Sequence, residues 1–127
     1  MKFNAVLPVL GFEDEKEFEL EEISDLFYRL KGKDVSFTLI NPFKIRDDYE
    51  FEISDSQQSA LKIDKNTPFL VTNIVTLNRP FEDSTINFAA PVIFNLKDKL
   101  AGQVILDKYP YGLAEPVKNF LKEKSEG

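Results

Sequence analysis

From Glu17 to Glu21 the chain alternates without a break, with Phe18 and Leu20 on one side and Glu17, Glu19 and Glu21 on the other. A period of two belongs to an extended strand with one wet face. The same pattern returns at Tyr49–Ser54, where Tyr49, Phe51 and Ile53 point inward and Glu50 and Glu52 outward. Lys2–Leu7 reads as a first strand, closed by Pro8 and Gly11. Val35–Phe43 is a strand that stops at Asn41-Pro42, because proline lacks the donor a ladder needs. Phe69–Leu77 is apolar on both faces, as a central strand would be, and Leu100–Asp107 is a further strand. Three pieces have helical character. Ile23, Phe27 and Leu30 are spaced for a short helix over Ser24–Gly32, with Ser24 as its cap and Gly32 as its stop. Asp55 caps a second over Asp55–Ile63. The third, at about 115–124, has Pro116 in its first turn, an apolar face of Val117, Phe120 and Leu121, and lysines toward its C-terminal end.

Thr85–Leu96 is among the most strongly patterned runs. Alternation puts Ile86, Phe88, Ala90, Val92, Phe94 and Leu96 in a core, and Thr85, Asn87, Ala89, Pro91, Ile93 and Asn95 on the opposite face. Pro91 requires a bulge or an edge at that point. The second face is small and uncharged. It is either a surface that another backbone can approach closely, or one side of a strand buried on both sides. About seven strands, closely spaced turns and three short helical pieces predict a mainly β, antiparallel, barrel-like or sandwich domain spanning 1–127. Without long crossover helices, a parallel sheet is not expected.

Composition narrows the chemistry. The 127 residues are 43% hydrophobic and include 12 phenylalanines, enough for one well-filled core. With no cysteine and no histidine, thiolate catalysis, disulfides, the usual zinc sites and a Ser-His-Asp triad are all excluded. Five glycines supply no phosphate-cradling motif, and Asp47–Glu52 lacks the glycine and terminal glutamate of a calcium loop. No cofactor or metal is expected. A net charge of −6 opposes direct nucleic-acid binding, and suits either plain solubility or a basic protein partner. The acidic stretch from Glu13 to Asp25, with Lys16 as its one base, is either protection of an edge strand or a steering patch. No run approaches a membrane span and the N-terminus lacks signal-peptide features, so a cytoplasmic location is expected.

Phe37–Phe43 (FTLINPF), Asp47–Ile53 (DDYEFEI), Ser84–Asn95 (STINFAAPVIFN) and Gly102–Asp107 (GQVILD) occur in this order, followed by Tyr109–Pro116 (YPYGLAEP). With the opening Leu7–Phe18 (LPVLGFEDEKEF), this set resembles the flagellar assembly factor family FliW, from about Leu7 to Pro116. The resemblance implies a small antiparallel β-barrel-like fold and a non-enzymatic cytoplasmic regulator, here expected to be a monomer. It also implies two partners: CsrA, a small RNA-binding translational repressor, and flagellin. Holding CsrA relieves repression of flagellin messenger RNA, and newly made flagellin competes for the regulator and frees CsrA. Motif matches carry partner-binding roles onto Asn41, Pro42, Phe43, Tyr49, Glu50, Asn87, Ala90 and Pro91, although Ala89 stands where the family often has leucine and alternation turns Ala90 inward. Acids between Glu13 and Asp25, or Glu50 and Glu52, would lower RNA affinity of a docked basic partner. Unit charges about 4 Å apart interact by about 4 kcal/mol at an effective dielectric near 20. Two rival functions remain: a β-barrel that binds a small apolar ligand, and a hydrolase pairing Asp47 with Glu50 or Asp107.

Overall fold

A computed structural model describes residues 1–121. Seven strands close into a barrel: β1 (Lys2–Leu7), β2 (Glu17–Glu22), β3 (Phe27–Lys31), β4 (Ser36–Ile40), β5 (Phe69–Thr76), β7 (Val92–Asn95) and β8 (Leu100–Gln103). Two short strands, β6 (Thr85–Ile86) and β9 (Glu115–Pro116), extend the sheet from the end of β5. One α-helix, α1 (Asp55–Leu61), and 3-10 turns at Pro42–Lys44, Phe81–Asp83 and Val117–Asn119 complete the described elements. The ring runs β1-β2-β3-β4-β5-β7-β8 and returns to β1. Direction cannot alternate around an odd ring, so one pair must be parallel, and that pair is β1 with β8. The other pairs are antiparallel, in keeping with the mainly antiparallel expectation. At this seam the chains pass closely: a Cβ on Gly102 would lie 2.6 Å from the Leu7 Cβ.

The barrel interior is filled by Phe3, Phe18, Leu30, Leu39, Val92, Phe94 and Ala101, with Phe3 and Phe94 edge to face at 4.9 Å. A second buried layer lies on the outer face of β5 and β7. It joins Val71, Val75 and Ile93 to Tyr49, Leu61, Ile86, Phe88 and Val117. Those two strands are thus apolar on both faces because both faces are covered.

The structure corrects several sequence-based expectations. The segment 24–32 forms no helix. Its Phe27–Lys31 portion is β3, aligned so that Leu30 enters the barrel and Arg29 and Lys31 stand opposite Glu21 and Glu19. Ser24 does cap, but within a turn: its hydroxyl accepts from the Leu26 and Phe27 amides. Helical spacing over nine residues was weaker than cross-strand pairing. β2 lies between β1 and β3, so its glutamates do not protect an edge. α1 is capped by Ser54 in a capping box with Gln57, and Asp55 is its first residue. The final helix is absent from 115–121, where Glu115 and Pro116 pair with β6 and Val117–Asn119 make a single 3-10 turn. Its remainder lies outside the described residues. Thr85–Leu96 is not one strand but β6, a turn, and β7.

Asn95, placed by alternation on the possible docking face, is fully buried and joins two elements. Its Nδ2 donates to the Leu61 and Lys62 carbonyls at 2.8 and 3.1 Å, closing the end of α1 where Lys62 turns left-handed. Its Oδ1 accepts from the Lys97 and Asp98 amides, both at 2.9 Å. Asn95→Ala leaves these groups without partners. It should cost about 3 kcal/mol in chemical denaturation with the slope unchanged.

Candidate docking groove

Asn41-Pro42-Phe43 ends β4 and begins the site. The register of β4 on β5 runs Thr38↔Val75, Leu39↔Ile74 and Ile40↔Asn73. Pro42 then stops the ladder, and Asn41 caps the turn by accepting the Phe43 amide at 3.1 Å. Residues Phe69–Thr72 of β5 are left with no ladder partner on that side among the described residues. Pro42 is buried, and the turn sets Phe43 outward, 52% exposed.

The next segment, 49–53, has the side-chain alternation expected of a strand, with Tyr49 buried, Phe51 and Ile53 half-buried, and Glu50 and Glu52 exposed. It belongs to no ladder. Two tyrosines stand in for a neighbouring strand. The Glu50 amide donates to the Tyr111 hydroxyl at 3.1 Å, and that hydroxyl donates to the Glu50 carbonyl at 2.8 Å. The Glu52 amide donates to the Tyr109 hydroxyl at 2.9 Å. The two rings stack at 5.8 Å and 10°. Arg46 locks this arrangement from below. Its guanidinium pairs with Asp48 at 2.9 Å and Glu115 at 3.2 Å, and lies 4.8, 5.0 and 5.2 Å from the ring centres of Phe88, Tyr111 and Phe120. Sequence reading passed over Arg46, Tyr109 and Tyr111 as functional candidates. The Arg46–Glu115 pair is 69 residues apart in sequence, and no local period announces it.

Between this segment and the first half of β5 lies an apolar groove of about 280 Å³. Phe43, Phe51, Ile53, Ile63 and Phe69 line it together with Val71 and Ile93, and Glu50 stands beside them. Phe69 is 54% exposed. Tyr49 lines the groove and anchors it to the core: its hydroxyl donates to the Phe88 carbonyl at 2.7 Å and accepts from Asn73 Nδ2 at 3.1 Å.

The candidates from the other strand do not join this groove. Asn87 is half-buried, its Oδ1 accepting from the Ala89 amide and its carbonyl from Asn73. Ala90 and Pro91 are buried, and their carbonyls accept from Gln103 Nε2 and the Val104 amide at 3.0 Å each. Asn87–Pro91 is therefore the turn between β6 and β7, with Ala90 and Pro91 buried and Asn87 and Ala89 half-buried, and its polar groups hold the chain together. The acidic stretches also separate. Glu21 of β2 pairs with Arg29 at 3.2 Å and Lys31 at 3.9 Å, whereas Glu50 and Glu52 have no salt bridge among the described residues. Asp47, Glu50 and Asp107 are all exposed, a solvated placement that tells against carboxylate catalysis.

Burial pushes the Tyr49 phenol well above its ordinary value near 10, outweighing the hydrogen bond from Asn73. The neutral phenol is favoured in the folded state, so its contribution is intact below about pH 10 and is lost as pH rises further, by about 1.4 kcal/mol per pH unit. Tyr49→Phe should lose about 1–2 kcal/mol at neutral pH, from the unpartnered Phe88 carbonyl, and should decline less steeply in alkali. Urea titrations from pH 8 to 11.5 measure both effects.

A profile of the FliW protein family matches residues 2–117. The flagellar assembly factor FliW of Sulfurimonas denitrificans is 43% identical over 127 residues, covering 97% of this chain and 100% of the relative. That of Campylobacter lari is 45% identical over 129 residues, covering 97% and 98%. A crystal structure of the flagellar assembly factor FliW superposes with a TM-score of 0.85 at 28% identity, covering 97% of this chain and 87% of that one. The barrel, the Asn-Pro-Phe turn that opens its groove and these likenesses agree that the chain belongs to the FliW family.

Proposed function

We propose that this protein is a non-enzymatic regulator of flagellar assembly, working in the cytoplasm as a monomer that exchanges two protein partners, a CsrA-type translational repressor and flagellin. Membership of a family whose named relatives are flagellar assembly factors supports the flagellar role. The single observation that carries a binding role is the open groove. A solvent-exposed apolar hollow held by a hydrogen-bonded network and bordered by exposed carboxylates is built to receive a protein side chain or segment. Holding the repressor would leave flagellin messenger RNA free for translation, and flagellin binding would release the repressor again. Glu50 and Glu52 supply negative charge beside any docked basic partner, weakening its hold on RNA within a Debye length of about 8–10 Å. The β2 carboxylates contribute less, because Arg29 and Lys31 offset Glu21.

The ligand-binding alternative has little room in the barrel, whose interior is packed with aromatic and aliphatic side chains. The groove offers it about 280 Å³, at the small end for an enclosed ligand site.

Calorimetric titration against the repressor and flagellin of the same organism tests the reading. Binding to each, with one displaced by the other, is the expected outcome. Phe43→Asp with Phe69→Asp should weaken partner binding by about tenfold or more while leaving thermal unfolding within a few degrees of wild type, since both rings are half exposed. Binding of neither partner at low or moderate salt would overturn it.

A further inference from the structure

The groove has main-chain as well as side-chain chemistry to offer. In an extended segment, the N–H and C=O of successive residues point to opposite edges. The amides of Glu50 and Glu52 point to the Tyr109 and Tyr111 hydroxyls. Those of Phe51 and Ile53 therefore point to the other edge. Among the described residues neither amide has a hydrogen-bond partner and the Phe51 carbonyl has none either, while the Ile53 carbonyl accepts from Gln58 Nε2 at 2.9 Å. Two hollows flank the segment. Tyr109 lines one, together with Glu52 and Ser54, while the apolar groove lies on the other side with Phe43 and Phe69. The unpaired edge thus faces the apolar groove. Across it, β5 pairs with β7 on its far side from Phe69 to Thr72 and has no ladder partner among the described residues on the side toward the groove.

We infer that the groove takes its occupant as an extended strand, paired to both main-chain groups of Phe51 and to the Ile53 amide. The side chains define what that strand must carry. Residues directly opposite in a strand pair point to the same face. Residues opposite Phe51 and Ile53 share their apolar, half-buried side. Residues opposite Glu50 and Glu52 stand beside exposed carboxylates without salt-bridge partners among the described residues. The occupant is an extended segment that alternates apolar with basic residues. Apolar burial and main-chain bonding give affinity, and the charge alternation sets register. The inference rests on the groove being the partner site, and it adds the conformation and pattern of what enters.

A capped hexapeptide of alternating lysine and valine is the probe. Three companions accompany it: the same peptide with every second backbone nitrogen methylated, its frame-shifted counterpart methylated on the other nitrogens, and a block isomer with three lysines followed by three valines. Titration into the full-length protein is read by calorimetry and by exchange of the Phe51 and Ile53 amide protons. The alternating peptide should bind and slow exchange at those two amides. One methylated frame should lose about tenfold in affinity or more, the block isomer should bind more weakly, and Glu50→Gln with Glu52→Gln should reduce both affinity and salt dependence. Equal affinity of all four peptides, no binding of the alternating one, or binding without protection of Phe51 and Ile53 would overturn the strand inference. If repressor and flagellin bind while the peptide does not, strand pairing fails and the partner reading stands. If the peptide binds and neither protein does, the partner reading fails instead.

Discussion

Seven strands in a closed ring cannot alternate direction all the way round, and the fold is organised by how that constraint is met. The parallel seam between β1 and β8 brings the chain back on itself, with Gly102 allowing the backbone to pass Leu7 closely. Once closed, the barrel pairs most of these strands on both sides, which leaves little edge for strand-to-strand aggregation. A break in its ladders lies where Pro42 ends β4 while β5 continues. The candidate groove sits at that break.

What surrounds the break is held by side chains in place of ladders. Tyr109 and Tyr111 bond the main chain of 49–53, Arg46 ties the segment to Glu115 and to three aromatic rings, and Tyr49 pins it to Phe88. Hydroxyl-to-backbone bonds fix one edge of an extended segment and leave its other edge free, which two flanking strands would not do. Rigid support on one side and open chemistry on the other is the arrangement of a preorganised binding surface, where little ordering entropy remains to be lost on association.

The sequence was most legible where a single period ruled. The alternation of β2, the two-sided apolar run of β5 and the stop at Pro42 could all be read directly, and each was found in place. Alternation also placed Tyr49 inward and Glu50 outward correctly, though not the tyrosines that replace a ladder there. It failed where two influences competed. Ile23, Phe27 and Leu30 have helical spacing by coincidence, and pairing with β2 decides the matter. Asn87, Pro91 and Asn95 do not share one face, because a turn separates β6 from β7: Ile86 and Phe88 join the outer layer while Val92 and Phe94 enter the barrel, and alternation carried across the turn could not show this. Of the candidate site, the Asn41–Phe43 turn, Tyr49 and Glu50 were legible through motif matches. Phe69 and Ile63 were not, since exposed and buried apolar residues look alike in a strand-like pattern. Arg46 was hidden because its partners are brought to it only by tertiary structure.

The central claim is that partners engage the groove beside the Asn-Pro-Phe turn, away from the β2–β3 face and the Asn87–Pro91 turn. Amide chemical-shift mapping of the isotopically labelled protein tests it most directly, with unlabelled flagellin and repressor added in turn. The account predicts that the largest changes for at least one partner cluster at Phe43, Phe51, Ile53, Ile63 and Phe69. Changes centred instead on Glu19, Glu21, Arg29 and Lys31, with the groove amides unmoved by either partner, would contradict it.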